Sequence, residues 1–327
     1  MSIRLASLRR REPGAKRGRC VSEACQSYEY VLRSGVTSIK CQRVTVMTSC
    51  ECPLKRRKER TVLPEEVARP KLEVYKEQFK EYFILERRNG IIMARMHTDG
   101  GPALWSWGLH GGISQLFRVL GNDSGNEVII FTGTGDQWMA SIKPSMWEAD
   151  EQGKIGYDNS FYDAARIMES IVFDVDIPTI GVINGPTPFH TEIGLLCDLT
   201  ICAEDVTFKD PHFPEFVEVP GDGQFLTFQM LVGLKRSAYL AYMGNTIDAK
   251  TALEWGLVNE VLPRERLMDR AWEIAEAIVK APRVTRRLTS QLVKRPLQAI
   301  VLDSSRLNIA YEMYAHLMKG GESWRKA

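Results

Sequence analysis

Thr179-Ile180-Gly181-Val182-Ile183-Asn184-Gly185 is a short apolar run ending in Asn-Gly, and a second run, Leu199-Thr200-Ile201-Cys202-Ala203, begins 20 residues after it. Upstream, Val128-Ile129-Ile130-Phe131-Thr132 ends in Gly133-Thr134-Gly135. Continuous apolar runs of this length, without alternation, suit strands buried on both faces. Between Thr132 and Thr179, Phe161 to Phe173 sets Ala164, Ala165, Met168, Ile171 and Val172 on one helical face. Strand–helix–strand alternation predicts right-handed crossovers and a largely parallel sheet with helices outside, an α/β fold.

Working outward, order is expected to begin near Leu72. Tyr82 to Leu85 and Ile91 to Met96 read as strands joined through Arg88-Asn89-Gly90, a hairpin signal because both turn residues tolerate positive φ. A loop, His97 to Trp107, leads to a helix from Leu109 to Leu120. Ile193 to Cys197 reads as a short apolar segment and Val206 to Phe208 as a strand. From Gln224 onward the pattern is helical, with an apolar stripe at Leu267, Ala271, Ile274, Ala275 and Ile278 and a further helix or two over Lys294 to Lys319.

Composition bounds the function classes. The 327 residues are 44% hydrophobic and 26% charged, as in a globular protein. No apolar run approaches the ~20 residues a bilayer requires, and no apolar leader precedes the body, so a cytoplasmic location is expected. Residues 1–60 hold 15 Lys/Arg against 5 Asp/Glu, a net of +10, and the remainder nets −8. A basic arm on an acidic body is not by charge alone a nucleic-acid-binding domain. The arm, with Arg9-Arg10-Arg11 and Lys55-Arg56-Arg57-Lys58, reads as poorly ordered over residues 1–66. As a transit peptide it would imply mitochondria, although Glu12, Glu23 and Glu29 count against that. Translation from Met47 would remove most of it. Five cysteines, Cys20, Cys25, Cys41, Cys50 and Cys52, lie there, without the paired spacing or histidines of a zinc site. Only Cys197 and Cys202 lie in the body, consistent with a reducing compartment.

Asn184-Gly185 after its strand, Cys197-Asp198, Ala203-Glu204-Asp205 and Phe208 resemble the central segment of the crotonase (enoyl-CoA hydratase/isomerase) superfamily. So does Ala249-Lys250-Thr251-Ala252-Leu253-Glu254-Trp255-Gly256-Leu257-Val258-Asn259-Glu260-Val261. The resemblance covers about residues 75–320. It implies a crotonase-like spiral of ββα turns over residues 67–262 and a helical C-terminal trimerisation region over 263–327. A homotrimer or a dimer of trimers is the implied assembly.

The departures are informative. CoA-using members carry an Ala-Gly-Ala-Asp-like run where Gly135-Asp136-Gln137-Trp138-Met139-Ala140 stands here. They carry a triple glycine where Pro186-Thr187-Pro188-Phe189-His190-Thr191-Glu192 stands. Glycines at such places let backbone N–H groups approach an oxyanion, so a thioester oxyanion hole is not expected. The β-diketone hydrolase branch, the proteins similar to 6-oxocamphor hydrolase, matches better. Its pattern is met by His97-Thr98-Asp99-Gly100, Trp105 and His110, by Asn184-Gly185-Pro186 with His190, and by Pro211-His212-Phe213-Pro214 with Pro220-Gly221-Asp222-Gly223. Glu312 is the best match to its late glutamate.

What the resemblance implies is hydrolysis of a carbon–carbon bond in a cyclic β-diketone (a retro-Claisen step) to a keto acid. No cofactor is expected, and neither nucleic acid nor membrane is expected as a partner. His212 is the expected general base and Asp222 its partner, since a histidine near pKa 6.5 can be basic at neutral pH. A variant makes Asp222 the nucleophile. His110 and His190 are expected to hold oxyanions, Glu312 to orient a histidine or relay a proton, and Trp105 to bind substrate. Trp138, Trp147, Phe189 and Phe213 are expected to form an apolar rim. Taken alone, His212 between prolines, Asp222 in Gly-Asp-Gly and Glu312 on a late helix would be two turn residues and a solvated acid. His97 and His316 are expected to be structural. The alternatives are a divergent CoA-thioester hydratase, isomerase or hydrolase, and a non-catalytic binding protein of the same fold using its basic arm on RNA. No HxxxH or HExxH metal set and no phosphate loop is present in the sequence.

Overall fold

The computed structural model describes residues 67–318 apart from 152–153, 155 and 187–189, together with four two-residue strands before residue 67. Residues 1–67 and 68–327 form two compact units. In the first, Ser22–Glu23 pairs with Thr45–Val46 and Val31–Leu32 with Gly35–Val36, both antiparallel. The expected disorder of the arm, and its five cysteines, lie outside the described residues.

The second unit opens with helix α1, Leu72–Gln78. The hairpin β1 (Phe83–Arg88) and β2 (Ile91–Met96) follows. Asn89 and Gly90 have φ of 51° and 84°, the paired left-handed conformation that an Asn-Gly hairpin turn requires. Beyond it come β3 (Leu104–Trp105), helix α2 (Trp107–Asn122) and β4 (Val128–Thr132). The loop expected over His97 to Trp107 thus contains β3, which pairs with β5 (Ser141–Ile142). Helix α3 (Pro144–Glu151) is followed by a π turn, Asp158–Asp163, that runs into α4 (Ala164–Phe173). Then come β6 (Thr179–Ile183), the short helix α5 (Glu192–Leu195), β7 (Leu199–Ala203) and β8 (Thr207–Phe208).

A six-stranded sheet runs in the order of the last strand, β10 (Glu260–Leu262), then β7, β6, β4, β2 and β1. Every neighbour is parallel except the β1–β2 hairpin. All five residues of β4 and of β6 are buried, as strands covered on both faces must be. Phe117 of α2 meets Phe131 of β4 with ring centroids 5.0 Å apart, fixing that helix on the sheet. Truncating a side chain such as Ile130 in this core costs about 2–5 kcal/mol.

The C-terminal part is α6 (Gln224–Val232), α7 (Leu234–Met243), β9 (Ile247–Asp248), α8 (Ala249–Trp255), α9 (Arg264–Val279) and α10 (Arg283–Met318). The apolar stripe of α9 buries Leu267, Ala271 and Ala275. Helix α10 is one element of 36 residues with Pro296 inside it, longer than the sequence pattern suggests. The reason is that its buried stripe is polar: Arg286, Ser290, Lys294, Ser305 and Glu312 accompany Val301 and Ile309. Arg286 pairs with Glu127, Ser290 bonds Asp198, and Lys294 bonds the Val175 carbonyl at 3.0 Å. Buried polar groups need such partners, and hydropathy alone does not register them. No helix of the described residues is long and apolar enough to cross a membrane.

Candidate active site

Four separate segments converge on one cavity. They are β3 and the start of α2 with Trp105 and His110, the turn before α5 with His190, the segment from His212 to Asp222, and the end of α10 with Glu312. The space among these residues, open solvent at the mouth included, is about 820 Å³. Trp107, Ile142, Met146, Ala164, Ile309 and Met313 form its apolar side.

His212 opens a π turn, His212–Phe216, and is buried. Its Nδ1 lies 2.7 Å from Asp210 Oδ1, and its Nε2 lies 3.2 Å from Asp222 Oδ2. Burial alone would lower the His212 pKa, but the two carboxylates outweigh it and raise it well above the usual value. The surroundings thus favour the protonated ring. Burial likewise opposes ionisation of Asp222, yet His212 and His190 hold its carboxyl well below the usual range. His190 Nδ1 lies 3.7 Å from Asp222 Oδ2, so that oxygen faces two imidazole rings. The other oxygen accepts from Gln224 N at 3.2 Å.

His190 has a φ of 58°, a strained conformation for a side chain of this size, where the resemblance leads one to expect glycine. Its ring stacks on Trp105 at 3.8 Å between centroids, and its Nδ1 meets Glu192 Oε1 at 2.9 Å. Burial raises the pKa of Glu192. The His190 carbonyl accepts a 2.9 Å bond from the Trp138 indole.

His110 sits in the first turn of α2, which Ser106 caps by accepting from Leu109 N at 3.2 Å. Trp105 and Trp107 present edges to it at 5.2 and 5.4 Å. Its Nδ1 is buried with no hydrogen-bond partner among the described residues. Burial, then the nearby His190, push its pKa down to about 3. It is a neutral imidazole, able to donate one N–H to a substrate oxygen without giving up a proton.

Glu312 Oε2 accepts from Gly221 N at 3.0 Å. The two segments touch so closely that a Cβ at Gly221 would stand 2.3 Å from the Asn308 carbonyl oxygen, so only glycine fits. Burial, then the Asp222 charge, raise the Glu312 pKa to about 8, leaving it a neutral acid at pH 7.

Two backbone N–H groups in the segments that depart from the CoA-using pattern are engaged. Ala140 N donates to Ala103 O at 2.8 Å, as β5 pairs with β3. Thr191 N donates to Gln224 Oε1 at 3.0 Å. Gln224 is fully buried, and its Nε2 donates to Lys209 O at 2.6 Å. One amide thus ties the segments of His190, Asp210 and Asp222. Asn184 makes a second knot: its side chain bonds Gly133 N, Gly135 O and Gln137 O, fixing the loop that ends in Trp138.

Of the residues singled out from the sequence, His110, His190, His212, Asp222, Glu312 and Trp105 line this cavity. Two of the rim aromatics do not. Trp138 is fully buried, with its ring on Phe131 at 5.9 Å, and acts on the backbone of His190 rather than on a ligand. Phe213 turns away, packs on Tyr242 at 5.1 Å and lines a separate groove. The π turn instead brings Phe216, four residues after His212, against that ring at 6.1 Å. Phe189 and the side chain of Trp147 lie outside the described residues. His97 bridges the Lys80 carbonyl and Gly100 N, and His316 meets Glu218 at 3.3 Å. Asp210, Glu192, Glu218 and Gln224 were not legible as site residues. Asp-x-His and His-x-Glu spacing were the available signals for the first two. Among the described residues no cluster of three or more His, Cys, Asp or Glu is placed to hold a metal ion.

Comparison with known proteins fits this geometry to a family. The enoyl-CoA hydratase/isomerase model matches residues 106–318. The solved β-diketone hydrolase of the cyanobacterium Anabaena, bound to (S)-3-oxocyclohexyl acetic acid, superposes with a TM-score of 0.69 at 30% identity, covering 74% of this chain and 98% of that one. An enoyl-CoA hydratase/isomerase of Mycobacterium paratuberculosis superposes with a TM-score of 0.66 at 21% identity, covering 75% and 97%. Carnitinyl-CoA dehydratase of Citrobacter koseri is 28% identical over 172 residues, 52% of this chain, and the match spans 64% of that relative's length. The expected ββα core with a helical C-terminal region is present, and the chain belongs to the enoyl-CoA hydratase/isomerase, or crotonase, family.

Proposed function

We propose that the protein hydrolyses a carbon–carbon bond of a cyclic β-diketone, without CoA, to give a keto acid. The observation that carries this reading is the Asp222 carboxylate set between His190 and His212 in a largely apolar cavity, while Ala140 N and Thr191 N are spent on internal bonds. A diketone oxygen can be held by side-chain donors such as His110. The 30% identity to a β-diketone hydrolase supports the same reading.

The resting protonation state favours a sequence that begins at Asp222. Its ionised carboxylate attacks one carbonyl carbon, and the resulting alkoxide accepts the N–H of neutral His110. The carbon–carbon bond breaks, with its electron pair delocalised as an enolate onto the second carbonyl. The His212 imidazolium protonates that carbon and becomes neutral. It then takes a proton from water, whose hydroxide opens the anhydride at Asp222. The acid is released, Asp222 is again ionised and His212 again protonated. His212 thus acts first as acid and then as base, each role suited to the state it is in.

The test is mass spectrometry of the protein incubated with a panel of cyclic β-diketones in the absence of CoA. A product one water heavier, formed by the wild type and lost with His212→Ala, is expected. No product from any diketone, together with retention on immobilised CoA, would instead establish the thioester reading.

A further inference from the structure

The resemblance couples His212 to Asp222, yet the shorter contact is to Asp210. His212 Nδ1 lies 2.7 Å from Asp210 Oδ1, against 3.2 Å from Nε2 to Asp222 Oδ2. Asp210 is fully buried, does not line the cavity, and its Oδ2 has no partner among the described residues. Its Oδ1 meets His212 twice, at the ring and at the backbone N at 3.1 Å. A turn cap needs only the backbone bond, which Ser or Asn would supply at lower desolvation cost. The ring contact is what calls for a carboxylate. The order carboxylate, imidazole, carboxylate also repeats the order of orienting acid, imidazole and nucleophile in a Ser-His-Asp triad. Asp222, which faces the cavity, stands at the nucleophile's end of that order.

We propose that Asp210 is a positioning residue: it fixes the His212 ring through Nδ1, turns Nε2 toward Asp222, and so leaves Asp222 as the reacting carboxylate. This assignment of its role in turnover rests on the hydrolase reading above. The groups facing His212 are Asp210 on its own turn, Asp222 ahead of α6, Glu312 from α10 and the Phe216 ring. Glu218 donates its N–H to the His212 carbonyl, and His190 stands beyond Asp222. Of the carboxyls, Glu312 is neutral at pH 7, so the two aspartates set the state of the ring.

The experiment is NMR of the full chain with ¹⁵N-labelled histidine, in the absence of substrate, with the His212 signals assigned by their loss in His212→Gln. A strongly deshielded Nδ1 proton is expected in the wild type and in Asp222→Asn, and is expected to vanish in Asp210→Asn. The His212 titration should also fall by about 1 unit or more in Asp210→Asn, the scale of losing one adjacent charge. In turnover, Asp210→Asn should lower kcat by ~10²-fold or more with KM little changed, and Asp210→Glu should recover part of it. An unchanged His212 titration in Asp210→Asn overturns the assignment. So does loss of the deshielded proton in Asp222→Asn, which decides the matter even if the Asp210 variants do not fold. A wild type that keeps the NMR signature but opens no diketone counts against the hydrolase reading and leaves the pairing of Asp210 with His212 standing.

Discussion

His110 and His212 line the same cavity, yet their surroundings drive them to opposite protonation states. His110 lies on the first turn of α2 with its ring roughly perpendicular to two tryptophan rings, and burial pushes it down to about 3. His212 lies between two carboxylates that overcome a similar burial and raise it. The side chain is the same in both places; the number of adjacent charges decides whether it donates a hydrogen bond or a proton. One wall of the cavity can polarise an oxygen while the other moves protons.

The comparison breaks most sharply at Asp222. Asp222→Ala removes the proposed nucleophile and one of the two charges beside His212, and kcat/KM for a diketone should fall by ~10²–10⁴-fold. Steady-state kinetics on any diketone that the wild type opens will show it, and retained activity would remove Asp222 from the chemistry.

His110→Phe keeps the ring's shape and deletes its donor. A loss of about 10²-fold in kcat is expected, the scale of one oxyanion donor. Because His110 titrates near 3, the variant should leave the pH–rate profile between about pH 5 and 9 unmoved. A shifted limb would show that His110 carries a proton in the reaction.

Glu312→Gln sharpens the account of the charged wall. The Glu312 pKa is raised by folding to about 8 from 4.5, so its contribution to stability is complete below the unfolded value and is lost as pH rises through the folded one. The neutral variant lacks that loss. Its melting temperature should therefore decline less than that of the wild type from about pH 6 to pH 9, with turnover changed by less than about tenfold. Parallel melting curves across that range would refute the buried, neutral assignment.

The smallest effect is expected at Phe213, which neighbours His212 in sequence but faces the other groove. Phe213→Ala should leave KM for the diketone unchanged, with a stability cost of about 0.5 kcal/mol or little more. A clear rise in KM would place it in the substrate's path.

The strands β4 and β6 and the Asn-Gly hairpin were legible because backbone burial and turn chemistry are written locally. The six cavity-lining site residues were legible through motif resemblance, not through any physical property of the isolated sequence. What stayed hidden was relational. Asp210 and Asp222 are both acids near His212, and only the folded turn separates the one behind the ring from the one facing the cavity. Trp138 looks in sequence like any aromatic beside a loop; burial turned it from a rim residue into a clamp on His190. The length of α10 was hidden because its inner stripe pairs its polar groups one by one.

The Gln224 side chain, which ties the segments around His190, Asp210 and Asp222 through one amide, is not among the residues that line the cavity. The parts that do the chemistry and the parts that choose the substrate are therefore held by different bonds. Ile142, Met146 and Met313 can be exchanged for larger or smaller side chains without loosening that amide. On the proposed reading, a lineage, or an engineer, could explore new diketones there while the reacting groups stay in place.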